Sequence, residues 1–418
     1  MATTNNTNTK DEQDRINAVN RHLNGESPTK ICESIGKSKS WLYKWIDRYD
    51  NIKRDSKKKW FQEHSRSPKN IHGKTDPETE KVVVDVRKSL VEGKTEDTKY
   101  RCIGAEEIEF RMHELGYSEN DTPSIPTIKR IIKRNKLIKQ KRKRYVRCKS
   151  KKRYTLLNPT KVNEMHQIDI VGPRYIKGYG AISSINMIDV VSNKAQIQQY
   201  TSGTMDYVLE VLQDYWTNNG IPNYLQMDNG GCFIGDLKHP RHFSRVVRLC
   251  LHLGIEPVFI AKSQPWMNGS IESFNDEFEE KLWSKETFKD IEHIRRESKI
   301  FLMRYNNRQE WKGRKTTLKK IPIRKIPSDF KIDVNNLLLM EGKMHFIRKV
   351  DKEGAISVLN EDFNIDKSLA HDYVWVTLNI KEEQLIVYHR EKNANEARLV
   401  KTQRYKIDED VKASDLNF

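Results

Sequence analysis

The chain has 418 residues, enough for two to four domains with a sizeable core in at least one. Its 76 Lys and Arg outnumber 58 Asp and Glu, and a net charge of +18 suits a polyanionic partner, most simply nucleic acid. Five scattered cysteines with no CxxC pair argue against a disulfide framework and for a reducing cytoplasm. No apolar run resembles a signal peptide or is long enough to span a membrane.

In chain order, residues 1–13 read as a polar, disordered tail. Residues 14–60 are predicted to hold three short helices. Ile16, Val19 and Leu23 mark the first, Pro28 opens the second, and Gly36 turns the chain into a third with Leu42, Trp45, Ile46 and Tyr49 on its apolar side. Helix, Gly-containing turn and basic helix form the helix-turn-helix pattern, with Lys37, Lys39 and Lys44 as candidate DNA contacts. A generic three-helix unit has the same pattern.

A linker rich in polar residues follows, and residues 77–140 repeat the helical theme in EKVVVDVRKSLVEG, GAEEIEFRMHELG and SIPTIKRIIKRNKL. Two helical modules in series suggest a long DNA site gripped at two places. Between Lys129 and Arg153, 15 of 25 residues are Lys or Arg and none is acidic. Lys129, Arg130, Lys133 and Arg134 on the last helix, with Lys141, Arg142, Lys143 and Arg144 in the basic linker 141–158, are therefore candidate phosphate contacts. A solvated linker accounts for such a run equally well.

Residues 159–320 change character. Three β-rich runs, a helix, a strand, a helix, a strand and a final helix predict a mixed α/β domain with helices flanking a sheet. Residues 325–418 are expected to form a separate small all-β barrel or sandwich from MHFIRKV, GAISVLN, DYVWVTLNI and QLIVYHR.

Three carboxylates occupy informative places. Asp169 lies inside the first strand, HQIDIVGP, where a carboxylate is unfavourable for strand and burial alike. Asp228 ends the fourth strand, and strand ends are where α/β sites form. Glu272 opens the last helix, one position off the apolar stripe Ile271, Phe274, Phe278 and Leu282. Pro265 suits a first turn there and Ser263 or Asn268 a cap. An acid in a first turn also complements the helix dipole, so this stretch alone leaves both readings open, and Asp276 and Glu279 compete for any role. Three hard oxygen ligands suit Mg²⁺ or Mn²⁺, and two such ions would serve in-line phosphoryl displacement. Without metal the acids repel one another, so a looser site is expected. Cys232, His239, His242, Cys250 and His252 crowd the same region, but their spacings match no common zinc finger.

HQIDIVGP, QMDNGGCF and PWMNGSIESFN, in that order, resemble the three signature blocks of the DDE transposase and retroviral-integrase superfamily. The nearest likeness is to bacterial and archaeal insertion-sequence transposases with an integrase-type core. RLCLHLGIEPVFI and YNNRQEWKG extend the resemblance over about 160–320. It implies a ribonuclease H-like core, Asp169, Asp228 and Glu272 as catalytic acids holding two Mg²⁺ or Mn²⁺ ions, and Asn229, Pro265, Asn268 and Gly269 as residues shaping the site. It also implies double-stranded DNA as partner, a dimer or larger assembly on DNA, and a cytoplasmic, nucleoid-associated, prokaryotic setting. Two departures stand out. The stretch between Asp228 and Glu272 exceeds the family's usual length, with the excess around GDLKHPRHFSR, and Ser273 replaces the Arg that often follows the Glu.

The leading expectation is an enzyme that binds its element's ends, frees 3′ hydroxyls and joins them to target DNA. A domesticated, inactive transposase acting as a DNA-binding regulator is the second reading, opposed by the presence of all three acids. A ribonuclease H-like nuclease that cuts without joining is the third, opposed by two N-terminal helical modules.

Overall fold

The computed structural model describes residues 9–52, 60–63, 75–138, 157–201, 205–235, 239–326, 333, 336–391 and 394–413. Two compact units divide the chain, Met1–Lys74 and Thr75–Phe418.

The first unit has α1 (Lys10–Leu23), α2 (Pro28–Ile35) and α3 (Lys39–Ile52). The first helix begins inside the stretch 1–13 expected to be a tail. A capping box starts α1, with Thr9 Oγ1 accepting from the Glu12 amide and Glu12 accepting from the Thr9 amide, so residues 10–13 are helical. Gly36 ends α2 at a φ of 70°, which a Cβ would oppose. Ala18, Val19, Ile31, Leu42 and Trp45 are fully buried, whereas Leu23 is half exposed.

In the second unit, α4 (Pro77–Glu92), α5 (Ala105–Glu114) and α6 (Ile125–Arg134) close around Val83, Ile108, Met112 and Ile128. The α/β region follows with β1 (Met165–Ile176), β2 (Gly180–Asp189), β3 (Ala195–Tyr200), α7 (Met205–Asn219), β4 (Tyr224–Met227), a one-turn α8 (Gly231–Ile234), α9 (Arg245–His252) and β5 (Glu256–Phe259). After these come α10 (Gly269–Phe278) and the long α11 (Ile291–Thr316), joined by a π-helical turn, Glu279–Trp283. Strands β1, β2 and β3 are antiparallel neighbours, while β4 and β5 run parallel to β1. Alternate β2 residues feed opposite faces, as strand geometry demands. Ile185 and Met187 join the cluster with α7 and α9, and Ile182 and Ile188 join the cluster with α10 and α11.

The helical module 77–138 is not a separate bead. Its α5 packs on α11, with the Phe110 and Trp311 rings 5.2 Å apart. Arg308 of α11 pairs with Glu107 of α5 at 3.0 Å and with Glu277 of α10 at 2.7 Å. Arg101 adds a buried pair to Glu107 at 2.9 Å.

The expected separate barrel does not stand alone either. Beyond β6 (Leu339–Met340), β7 (Lys343–Lys349) pairs in parallel with β5, placing Val258 opposite His345 and Phe259 opposite Phe346. Strands β8 (Ala355–Val358) and β9 (Glu361–Asn364) form a hairpin, and β13 (Val411–Lys412) pairs with β6. Strands β10 (Tyr373–Asn379), β11 (Gln384–His389) and β12 (Arg398–Arg404) extend from β7, giving one nine-stranded sheet in the order β12-β11-β10-β7-β5-β4-β1-β2-β3. Phe259 stacks on Phe346 with ring centres 5.3 Å apart, and His345 Nε2 lies 2.7 Å from Glu256 Oε2. One apolar core runs from Leu212 and Val247 to Val376, Leu385 and Tyr405, so the C-terminal strands share the core of the α/β region.

Candidate active site

Strand β1 carries Asp169 opposite Asn186 of β2. Just beyond, Gly172 has a φ of 122°, and a Cβ there would lie 3.1 Å from the Ile182 carbonyl oxygen, so the HQIDIVGP turn needs glycine at that position. A register shift between Val171 and Arg174 redirects the strand past the acid. Asp228 is the first residue after β4, at the strand's C-terminal end, and its Oδ1 accepts from the Gly230 amide at 2.8 Å. Glu272 lies in the first turn of α10, beside the fully buried Ile271 and itself partly buried.

Buried amides hold α10 to the sheet. Gln167 Oε1 accepts from the Ile271 amide at 3.0 Å. Asn268 donates to the Ile168 carbonyl at 3.2 Å, and Gln226 donates to the Met267 carbonyl at 2.9 Å and to Asn268 Oδ1 at 3.2 Å. Asn268 therefore ties the helix start to the residue before Asp169. A second chain runs from Asn186, which donates to Asn275 Oδ1, to Asn275, which donates to Asp169 Oδ2, each at 2.7 Å. Gln167, Gln226, Asn186 and Asn275 escaped the sequence reading. The one signal was a Gln two residues before each Asp, in HQID and LQMD, where a strand interior disfavours a polar residue without a partner.

Asn229 Nδ2 donates to the Ile260 carbonyl at 2.6 Å, joining the ends of β4 and β5. Pro265 opens a 3₁₀ turn, Pro265–Asn268, that leads into α10. Gly269 has ordinary helical angles, and a Cβ there would meet nothing within 4 Å, so no steric need for glycine is visible. Trp266 in that turn is 41% exposed and donates to Gln264 Oε1. Of the competing acids, Glu279 is paired with Arg174 at 2.5 Å, and Asp276 is exposed beside Glu272.

The acids sense one another. Burial, then the charges of Asp228 and Glu272, push the Asp169 carboxyl up to about 6. Burial and Asp276 raise Glu272. Burial and the negative charge of Asp228 push the Cys232 thiol up to about 11. Among the described residues, no group of three or more His, Cys, Asp or Glu side chains is gathered closely enough to hold a metal ion. By chemistry the three acids still fit a hard divalent cation, because they are oxygen donors whose repulsion a cation would relieve. Cys250 is fully buried in α9, and His252 lies 3.1 Å from the Leu338 carbonyl.

Among the candidate DNA contacts, Lys37 and Lys39 are exposed, while Lys44 is engaged by Glu63 at 3.2 Å. Lys129, Arg130 and Lys133 are exposed on α6, and Arg134 is paired with Glu80. Lys141, Arg142, Lys143 and Arg144 lie outside the described residues. No helix among the described residues is long and apolar enough to cross a membrane.

The homeodomain-like domain family matches residues 9–56, and the integrase core domain family matches residues 253–310, a span that includes Glu272. Together these two partial matches support a likeness to the DDE transposase and integrase-like superfamily. No curated protein matches the chain. Solved structures similar to part of it include the catalytic core domain of HTLV-2 integrase in complex with magnesium, at 15% identity over 36% of this chain and 85% of that one, TM-score 0.23. Another is the simian T-cell lymphotropic virus intasome in complex with the PP2A regulatory subunit B56 gamma, at 11% identity over 72% and 95%, TM-score 0.28. A third is the BIV integrase catalytic core, at 21% identity over 29% and 70%, TM-score 0.22.

Proposed function

We propose that the chain is a DNA transposase that cleaves and joins DNA strands at the site of Asp169, Asp228 and Glu272, in an assembly of two or more copies on the ends of its own element. The observation that carries this reading is that β1, the end of β4 and the start of α10 bring three acids near enough for two of them to raise the third. The integrase core match over 253–310 and the homeodomain-like match over 9–56 support the class of reaction and the DNA partner.

The chemistry is phosphoryl transfer. Water first attacks a phosphodiester at the element end and releases a 3′ hydroxyl. That hydroxyl oxygen then attacks a target phosphate, one P–O bond forms as another breaks, and the target's 3′ oxygen leaves. A pair of Mg²⁺ or Mn²⁺ ions would supply charge for the attacking and departing oxygens. The chain's own residues set the acids in place. Asn275 orients Asp169, the Gly230 amide holds Asp228, and Gln167 with Asn268 fixes the helix bearing Glu272. Lys129, Arg130 and Lys133 of α6, with Lys37 and Lys39, would contact phosphates.

Strand joining tests the reading. Purified protein is incubated with Mg²⁺ or Mn²⁺, labelled DNA from the flanks of its own gene and a plasmid target. Joined products should form with the wild type and drop at least a thousandfold in Glu272→Gln. Salt-sensitive binding with neither cutting nor joining would replace the transposase by a DNA-binding regulator.

A further inference from the structure

Arg348 on β7 is 4% exposed, in the segment that the sequence reading assigned to an independent barrel. A guanidinium so far from water demands acceptors. Among the described residues it has no carboxylate partner. Its Nε donates to the Ser357 carbonyl at 2.8 Å and its Nη1 to the Ile347 carbonyl at 2.9 Å and the Ile260 carbonyl at 3.3 Å. Its Nη2 donates to Asn229 Oδ1 at 2.9 Å. Asn229 is the one side chain among these acceptors, it adjoins Asp228, and its own amide donates to Ile260. The guanidinium also sits 4.8 Å from the centre of the Phe346 ring.

We propose that Arg348 is a positioning residue for the candidate active site: by holding Asn229 and Ile260 together it fixes the ends of β4 and β5 and so the backbone from which Asp228 projects. The planar fork suits this role, since one rigid group reaches two strand ends and its own strand at once, which a lysine ammonium cannot do. Fold stability alone would be served more cheaply at such a depth by an apolar side chain. The catalytic consequence rests on the transposase reading; the positioning of the Asp228 loop does not.

The test compares wild type, Arg348→Met, Arg348→Lys and Asn229→Ala in the full chain, by three readouts. Amide hydrogen exchange is followed at Gly230, whose N–H is held by Asp228. Mn²⁺ binding is followed by electron paramagnetic resonance, and strand joining against Mn²⁺ concentration. Arg348→Met should lower Gly230 protection at least tenfold while Leu225 and Gln226 keep theirs. It should weaken Mn²⁺ binding and raise the Mn²⁺ requirement for joining about tenfold, as loss of a group that orients a ligand does. Arg348→Lys should recover part of each effect. Asn229→Ala should reproduce them, and serves if Arg348→Met does not fold. Unchanged Gly230 protection and Mn²⁺ binding in folded Arg348→Met, or in Asn229→Ala if only that variant folds, would overturn the proposal, even with a lowered melting temperature. If Gly230 protection falls in the variants but the wild type joins no DNA, the transposase reading fails and the positioning role stands.

Discussion

Asp169→Asn should make the metal-free protein more stable, the opposite of what most substitutions at a half-buried site do. The Asp169 carboxyl has a folded-state pKa of about 6 against its ordinary 3.8, because burial and the charges of Asp228 and Glu272 disfavour the ionised form. A folded pKa above the unfolded one means that folding takes up protons between those values. Stability from this group is fully present below pH 3.8 and is lost as pH rises through about 6. At about 1.4 kcal/mol per pH unit, the cost at pH 7 is about 3 kcal/mol. Asparagine removes the charge and can still accept the hydrogen bond from Asn275. Urea denaturation in EDTA at several pH values gives the difference between variant and wild type, which cancels groups common to both. The variant should gain up to about 3 kcal/mol at pH 7, and the gain should shrink towards zero by pH 4. Saturating Mg²⁺ should then stabilise the wild type selectively, by about 2.7 kcal/mol at a hundred times the dissociation constant. A wild type as stable as Asp169→Asn at pH 7 in EDTA, or a gain independent of pH, would refute the idea that these acids strain one another.

Arg308→Met should cost about 3 kcal/mol, because it leaves the partly buried Glu277 carboxylate without its guanidinium and the buried Glu107 with Arg101 alone, and Arg308→Lys should cost less. A loss under about 1 kcal/mol in denaturant titration would mean the pairs contribute little. Truncation after residue 326 should leave residues 75–326 without a cooperative thermal transition, since β5 loses its β7 neighbour and Phe259 loses Phe346. A sharp melt of that fragment would make the C-terminal strands an appendage.

What the sequence made legible was local. The stripe Ile271, Phe274, Phe278 and Leu282 is buried as its spacing predicts, and Gly36 and Pro28 mark the ends of α2 as their backbone preferences require. What stayed hidden was pairing between distant segments. Strands β7, β10 and β11 read as a hairpin-rich unit because antiparallel neighbours adjacent in sequence leave turn signals. The parallel pairing of β7 with β5 spans the whole of α10 and α11 and leaves none. The start of α1 was missed for a smaller reason: Thr9 and Glu12 make a capping box inside a stretch whose composition reads as disorder. Asn275 and Gln167 were missed because an amide on a helix or strand looks ordinary until its partner is beside it, the Asp169 carboxylate for Asn275 and the Ile271 backbone amide for Gln167.

The helix bearing Glu272 is restrained along its whole length by different means. At its start, Gln167 and Asn268 bind it to β1 by hydrogen bonds that are short-range and directional. Along its middle, Phe274 packs against Tyr305 of α11 with ring centres 4.8 Å apart. Near its end, Arg308 ties Glu277 to Glu107 of the helical module, and although burial would lower that guanidinium's pKa, the two carboxylates hold it up and keep it charged. A helix fixed at three points by hydrogen bonds, apolar packing and buried charge has little freedom to shift as a rigid body. On the transposase reading, any closing of the three acids upon a cation would come from their side chains and from the Asp228 loop. That loop is held to β5 and β7 through the clamp formed by Asn229 and Arg348, which is why the clamp matters to it.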